Sequence, residues 1–267
     1  MNLKRVYAIF VRQFYLIRDN PTRIFQMLIW GTVDIILWGF TSRYLTSIAG
    51  PGPNFALVFL GAVLIWDFLS RTMQGITTSF LEDSWSRNFL NLFASPLSIS
   101  EYLGGLVLIS ISKSVIGFAI LLLVAGAIFG FSILAYGFSV LSFLFILFLS
   151  GIALGILGVS MMFRFGPIAE WFIWPLPALI SPFVGVLYPL STLPEWMQSV
   201  GRILPPSYVF DGLRSVVAGG EFQAASFAMG VGLALFYIIL AYVVFLMAYR
   251  RAVRTGIIVR YSAESLS

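Results

Sequence analysis

Neither cysteine nor histidine occurs in the 267 residues. Such a chain offers no disulfide framework, no thiolate nucleophile, and no imidazole to serve as base or metal ligand. Charge is scarce as well. Asp, Glu, Lys and Arg make up 10% of the residues against 60% apolar ones, and the mean hydropathy is +0.97. These values lie far outside the range of soluble domains and describe a polytopic membrane protein rather than a globular core with one anchor. A cleaved leader is not expected, because Lys4, Arg5, Arg12, Arg18 and Arg23 interrupt any apolar core at the start. A phosphate-binding loop is missing too. Its G-x-x-x-x-G-K-[ST] pattern lets backbone amides close on phosphates, whereas Lys113-Ser114 follows Ser112 inside an apolar run. No catalytic residue, metal site or cofactor is therefore expected in this chain, and no nucleic-acid partner.

What is present is a series of apolar runs of roughly 20 residues, the length a bilayer crossing needs. Six are read, over 24–45, 55–80, 105–131, 137–163, 168–188 and 227–249, the fifth broken by Pro175, Pro177 and Pro182. Lys4, Arg5, Arg12, Arg18 and Arg23 precede the first run, and Arg250, Arg251, Arg254 and Arg260 follow the last. The connections that would lie outside carry only Arg43, Arg202 and Arg214. Basic residues mark the cytoplasmic side, so both termini are expected there, as an even number of crossings requires. No internal repeat or linker divides the chain, and the expected fold is a single all-α membrane domain over 1–267.

Before the first run, Leu3, Tyr7, Phe10, Phe14 and Ile17 recur at steps of four and three, with Lys4, Arg5 and Arg12 opposite. The spacing predicts an amphipathic helix within 1–21 that lies in the cytoplasmic interface, cations near anionic headgroups. It either anchors the chain or docks a partner.

Four charges fall inside the runs: Asp34, Asp67, Arg71 and Lys113. Each costs roughly 2.5–3.5 kcal/mol at the bilayer centre, so each should face the bundle and find a partner. At 1.5 Å per residue, Asp34 lies about 15 Å and Lys113 about 12 Å from the inner ends of their runs, and Asp67 sits near mid-depth. Asp67 and Arg71 are spaced i, i+4 and can pair on one face. Two readings follow, a neutral network holding three helices in register or a proton relay or substrate site, with balanced signs favouring the first. A protease dyad of Asp34 and Asp67 is disfavoured, because Arg71 and Lys113 would keep both acids ionised where a dyad must share a proton.

The segment Tyr188-Pro189 … Leu193-Pro194-Glu195-Trp196 … Leu204-Pro205-Pro206-Ser207-Tyr208 … Leu213-Arg214 is too interrupted to cross a bilayer and too apolar to be an ordinary loop. Thr192 to Glu195 reads as a capping box. It opens a helix with Trp196, Val200, Ile203 and Leu204 on one side, stopped by Pro205 and Pro206. Ser207 would then cap a second short helix, ended by Gly219-Gly220.

That segment resembles the signature of type-2 ABC exporter permeases. The stretch Asn91-Leu92-Phe93-Ala94-Ser95-Pro96-Leu97, with Glu101 to Gly105 after it, is similar to the same family's loop between the second and third spans. Span number, chain length and the basic first helix extend the likeness over nearly the whole chain. The loop over 82–104 departs from it in being net acidic, with Glu82, Asp83 and Glu101 against Arg87.

The resemblance implies a membrane subunit of an exporter in a bacterial or archaeal cytoplasmic membrane. A separate ABC ATPase subunit would bind ATP and Mg, and a second permease copy would complete a homodimer among the membrane lipids. It implies a coupling helix with Arg87, Phe89, Leu92, Phe93, Ser95 and Pro96 at the ATPase. It also implies a re-entrant pair over 190–220 that closes the exit, with Pro194, Glu195, Trp196, Pro205 and Tyr208 at the outer gate. Trp30, Trp38, Trp66 and Phe68 are candidates for the substrate path, since aromatic faces stack on ring systems, although packing or lipid contact also accounts for each. The expected cargo is an amphipathic small molecule, lipid or drug, or else a lipid-linked polysaccharide or oligosaccharide. A reading of another class is an ion-coupled transporter or channel with no ATPase, for which no inverted repeat speaks.

Overall fold

The computed structural model describes residues 2–49, 55–86, 92 and 94–255, and all regular structure among them is helical. Helix α1, Leu3–Arg18, starts at Asn2, whose side chain accepts the Lys4 amide at 3.0 Å. Helix α2 is Pro21–Ala49, and a π-helical turn, Ala56–Leu60, leads into α3, Gly61–Trp85. Helix α4, Ile99–Phe129, opens with a reciprocal capping box: Ser98 Oγ accepts the Glu101 amide at 3.3 Å, and Glu101 Oε2 accepts the Ser98 amide at 3.0 Å. It closes at Gly130, whose φ of 66° suits a left-handed cap. Then follow α5, Ser139–Phe165; α6, Leu176–Val184; α7, Glu195–Arg202; α8, Pro205–Val217; and α9, Ala224–Thr255.

Helices α4, α5 and α9 are long and apolar enough to cross a membrane. Helices α2 and α3, with 29 and 25 residues, reach about 43 Å and about 37 Å at 1.5 Å per residue but carry more polar side chains. The protein is a multi-pass membrane protein.

The fifth apolar run is not one helix. Short turns over Gly166–Ala169 and Glu170–Ile173 precede α6, and the interruption falls at Trp174-Pro175. Of the three prolines expected to break this run, Pro177 sits in the first turn of α6, where a missing amide costs nothing, and Pro182 lies inside the helix without ending it. A proline at 182 leaves the Ala178 carbonyl without its helical donor, and Ser181 Oγ donates to it at 3.0 Å instead.

Side-chain contacts give the helix directions. Phe68 meets Phe118 and Phe80 meets Tyr102, so α3 and α4 run antiparallel. Phe80 also meets Phe163, and a Cβ at Gly151 would abut Thr72, so α3 and α5 run parallel. Gly230 approaches Ile146 and Phe163 meets Phe245 and Tyr249, so α5 and α9 run parallel too. One apolar cluster, with Leu64, Phe131, Tyr136 and Phe210, fills the end of the bundle at α8. The other, with Met73, Phe80, Tyr102, Phe163 and Phe245, fills the opposite end, where α1 lies across α4.

Candidate functional site

Arg71 is buried mid-way along α3 and forms an ion pair with Asp67 one turn earlier. Its guanidinium occupies a slot made by two glycines. A Cβ at Gly31 of α2 would lie 2.5 Å from Arg71 Nη2, and one at Gly117 of α4 would lie 3.0 Å from Nη1. The pair thus sits where three helices meet. Of the four charges inside the apolar runs, Asp67 and Arg71 form the ion pair. Lys113 Nζ donates to Ser79 Oγ at 2.8 Å, about two turns along α3 from Arg71. Asp34 lies on the exposed side of α2, close enough for its charge to be felt at Asp67 but making no ion pair among the described residues. A polar seam accompanies the pair along α3 and α4: Thr72 and Ser114 hydroxyls meet at 2.9 Å, and Gly75 abuts Ser110.

A second cluster, at the α1 end of the bundle, was not expected. Asp83, at the end of α3, is fully buried and accepts four hydrogen bonds from three side chains. Arg12 binds it with both terminal nitrogens, Gln13 Nε2 donates at 3.3 Å and Tyr102 OH at 2.8 Å. Burial and the neighbouring carboxylate push the Tyr102 hydroxyl well above its usual range, so it stays a donor. Glu101 precedes the apolar run that starts at Gly105. The amides of Ser98 and Asn2, with Arg5 Nη1 at 3.4 Å, hold its carboxyl down at about 2.

These bonds fix which side of α1 meets the protein. Val6, Ile9 and Gln13 face the protein, with Ile9 packed where Gly105 leaves room, and Leu3, Tyr7 and Phe14 point outward. Arg5 and Arg12 pair with carboxylates on the helices beneath, Glu101 of α4 and Asp83 of α3. The loop's excess of acid is the complement of the first helix. Ser98-x-x-Glu101 was legible as a cap; the Arg12–Asp83 contact, 71 residues apart, had no local signal.

Of the coupling residues, Arg87, Phe89 and Phe93 lie outside the described residues. Leu92 is partly buried against the α1-end cluster. Ala94, Ser95 and Pro96 are exposed at a turn in which Ser95 Oγ donates to Leu92 O at 2.5 Å.

At the opposite end, α7 and α8 form a tied pair. The expected capping box does not form. Thr192 Oγ donates to Pro189 O at 2.7 Å inside a short 3-10 turn, and α7 starts only after Pro194, without a side-chain cap. Pro205 and Pro206 are the first turn of α8, where no amide donors are needed, and Ser207 does not cap it. Ser207 Oγ lies 2.7 Å from the carbonyls of both Gly201 and Leu204, Tyr208 OH donates to Arg202 O at 2.8 Å, and Tyr237 OH of α9 donates to Ile203 O at 3.1 Å. Hydroxyls thus meet the carbonyls of Gly201, Arg202, Ile203 and Leu204, where α7 ends. Arg214 then joins α8 to α6 by donating to Gly185 O at 2.7 Å. Glu195 is exposed. Trp196, Val200 and Ile203 face outward, with Trp196 edge-on to Phe183 at 6.1 Å.

The four aromatic candidates separate. Trp30 is 75% exposed on α2, and Trp38 stacks on Phe59 at 6.0 Å. Trp66 packs against Phe210 of α8 at 5.9 Å. Phe68 is buried between Phe118 and Phe148. A family model described as ABC-2 type transporter matches residues 4–218. No curated protein matches the chain.

Proposed function

The chain belongs to the ABC-2 type transporter family, and from that premise we propose that it is the permease subunit of an ATP-driven exporter. In this reading it makes six crossings of a bacterial or archaeal cytoplasmic membrane, with the α6 region as the interrupted fifth and both termini inside. A separate ATPase subunit binds ATP and Mg, and α7 and α8 are the re-entrant pair that closes the outer exit.

The observation that carries this reading is the continuity of α3. One end is clamped through Asp83 to α1 and α4 beside the exposed Ala94–Pro96 turn. The other meets α8 through Trp66 and Phe210. Between them α3 is bound to α4 by the Thr72–Ser114 and Lys113–Ser79 contacts. A push on the turn by closing ATPase subunits moves α3 and α4 as one body and reaches the helix pair at the far end.

A second copy of the chain completes the path. The outward side of α2 carries Trp30, Leu37 and Tyr44 together with Asp34. An isolated carboxylate facing lipid costs roughly 2.5–3.5 kcal/mol, so this side is better covered by another subunit and by water or cargo between them. A path lined by aromatics and one acid suits an amphipathic small molecule, lipid or drug, with lipid-linked polysaccharide or oligosaccharide as the alternative cargo.

The test is purification from its own cells under mild conditions, followed by reconstitution. An ATPase carrying a phosphate-binding loop should accompany the chain, and transport should require ATP. Transport by the chain alone, driven by a proton gradient, would overturn the proposal in favour of an ion-coupled carrier.

A further inference from the structure

A cleft opens between the C-terminal halves of α5 and α9, away from the helix pair and from the outward side of α2. It encloses a cavity of about 220 Å³. Its walls are Leu157 and Met161 from α5 and Val244 and Met247 from α9, all apolar, and the two methionines adapt their shape to a chain laid against them. At its mouth stand Arg164, in the last turn of α5, and Arg251, near the end of α9. The helices run parallel and Phe163 meets Tyr249 at 5.6 Å, which puts the two arginines at one level. Both are exposed, and neither has a carboxylate in ion-pair range among the described residues. Of the acids at this end, Asp83 is held by Arg12 and Glu101 by Arg5, and Glu170 accepts from Trp174 Nε1 at 3.3 Å. Arg164 lies 5.5 Å over the Phe165 ring, which holds its guanidinium near the mouth.

We infer that this cleft is a binding site for one anionic glycerophospholipid, its phosphate between Arg164 and Arg251 and an acyl chain along the Leu157–Met161–Val244–Met247 wall. Two guanidinium groups without acidic partners, set above a greasy groove, match a ligand with a negative head and an apolar tail. A zwitterionic headgroup fits less well, since its ammonium would meet a second cation. The inference rests on the membrane placement of the bundle and not on the direction or energy source of transport.

The test is native mass spectrometry of the full-length protein in detergent, titrated with phosphatidylglycerol, phosphatidylcholine or inorganic phosphate. Compared with it are Arg164→Gln/Arg251→Gln and a control of equal charge loss, Arg250→Gln/Arg254→Gln, at exposed positions of α9 outside the cleft. Phosphatidylglycerol should be retained one to one by the parent and the control. Retention should fall about tenfold or more in the cleft variant. Phosphatidylcholine should be retained weakly, and excess phosphate should not displace the lipid. Equal loss in both variants would reduce the site to diffuse surface charge and overturn the inference, as would equal retention of the two lipids. Displacement by phosphate would mark a site for soluble anions and overturn it too. Thermal melting with and without phosphatidylglycerol gives a second reading within each folded variant: the lipid should raise the midpoint of the parent and control but not of the cleft variant. Neither measurement uses ATP or a partner, so failure here and failure of the exporter reading are separable.

Discussion

Asp83 takes hydrogen bonds from Arg12, Gln13 and Tyr102 with no exposure to solvent, so its charge is stable only while those donors stay. Removing the carboxylate by Asp83→Ala leaves the part-exposed Arg12 without its partner and Gln13 and Tyr102 without their acceptor, and should cost about 1–3 kcal/mol. Tyr102→Phe removes one donor to a charged acceptor and should cost about 1.5–3 kcal/mol. Denaturant titration of Arg12→Ala, Asp83→Ala and the double variant should show strong non-additivity, and additive losses would mean that the side chains do not depend on each other. Asp67 and Arg71 call for a different readout, because the proposed six-crossing reading puts the pair within the second crossing. Asp67→Asn withdraws the carboxylate from a guanidinium held between Gly31 and Gly117. Loss of assembled protein on size-exclusion chromatography is the expected outcome; intact assembly with abolished transport would assign the pair to the cargo path instead.

At the scale of elements, hydropathy alone located most of the helices, since an apolar run of bilayer length has few other ways to satisfy its backbone. The run 105–131 became α4, Ile99–Phe129, and the run 227–249 became α9, Ala224–Thr255. The direction each helix faces was less legible. For α1 the apolar stripe through Leu3, Tyr7 and Phe14 was legible and is exposed, whereas the burial of Val6 and Ile9, on the side that Arg12 ties to a carboxylate on α3, had no local signal. Helix caps were misread where a proline changed the contest for a carbonyl, as at Thr192 and Ser207. The close approach of α3 and α5 had a sequence signal, Gly151 and Gly155 four apart, which marks small faces that let helices touch. A Cβ at Gly151 would lie 2.6 Å from Thr72 Cβ and 2.8 Å from Leu69 O, the second being backbone that cannot swing aside. Gly151→Ala should therefore cost about 1–3 kcal/mol by overpacking, and Gly151→Leu more. Gly232, with nothing near its Cβ position, is the control. Equal melting points for Gly151→Ala and Gly232→Ala would refute the contact.

For the molecule as a whole, the question is how movement enters. The turn Ala94–Pro96 is exposed beside the clamped ends of α3 and α4, whereas Leu92 is partly buried against the chain's own core. Substitutions in this short region should therefore divide into two classes. Leu92→Asp places a charge against apolar neighbours and should lower stability by about 1–3 kcal/mol whether or not an ATPase is present. Ala94→Glu and Pro96→Glu alter only the exposed surface, so the permease should melt as the parent does. If that surface is where the ATPase pushes, these two variants should either lose the ATPase on purification or keep its ATP hydrolysis while transport falls severalfold. Hydrolysis and transport measured in the same proteoliposomes separate the classes. Parental coupling in both exposed variants would mean that force enters elsewhere, and the α1 surface, joined to α3 through Arg12 and Asp83, would be the next place to test.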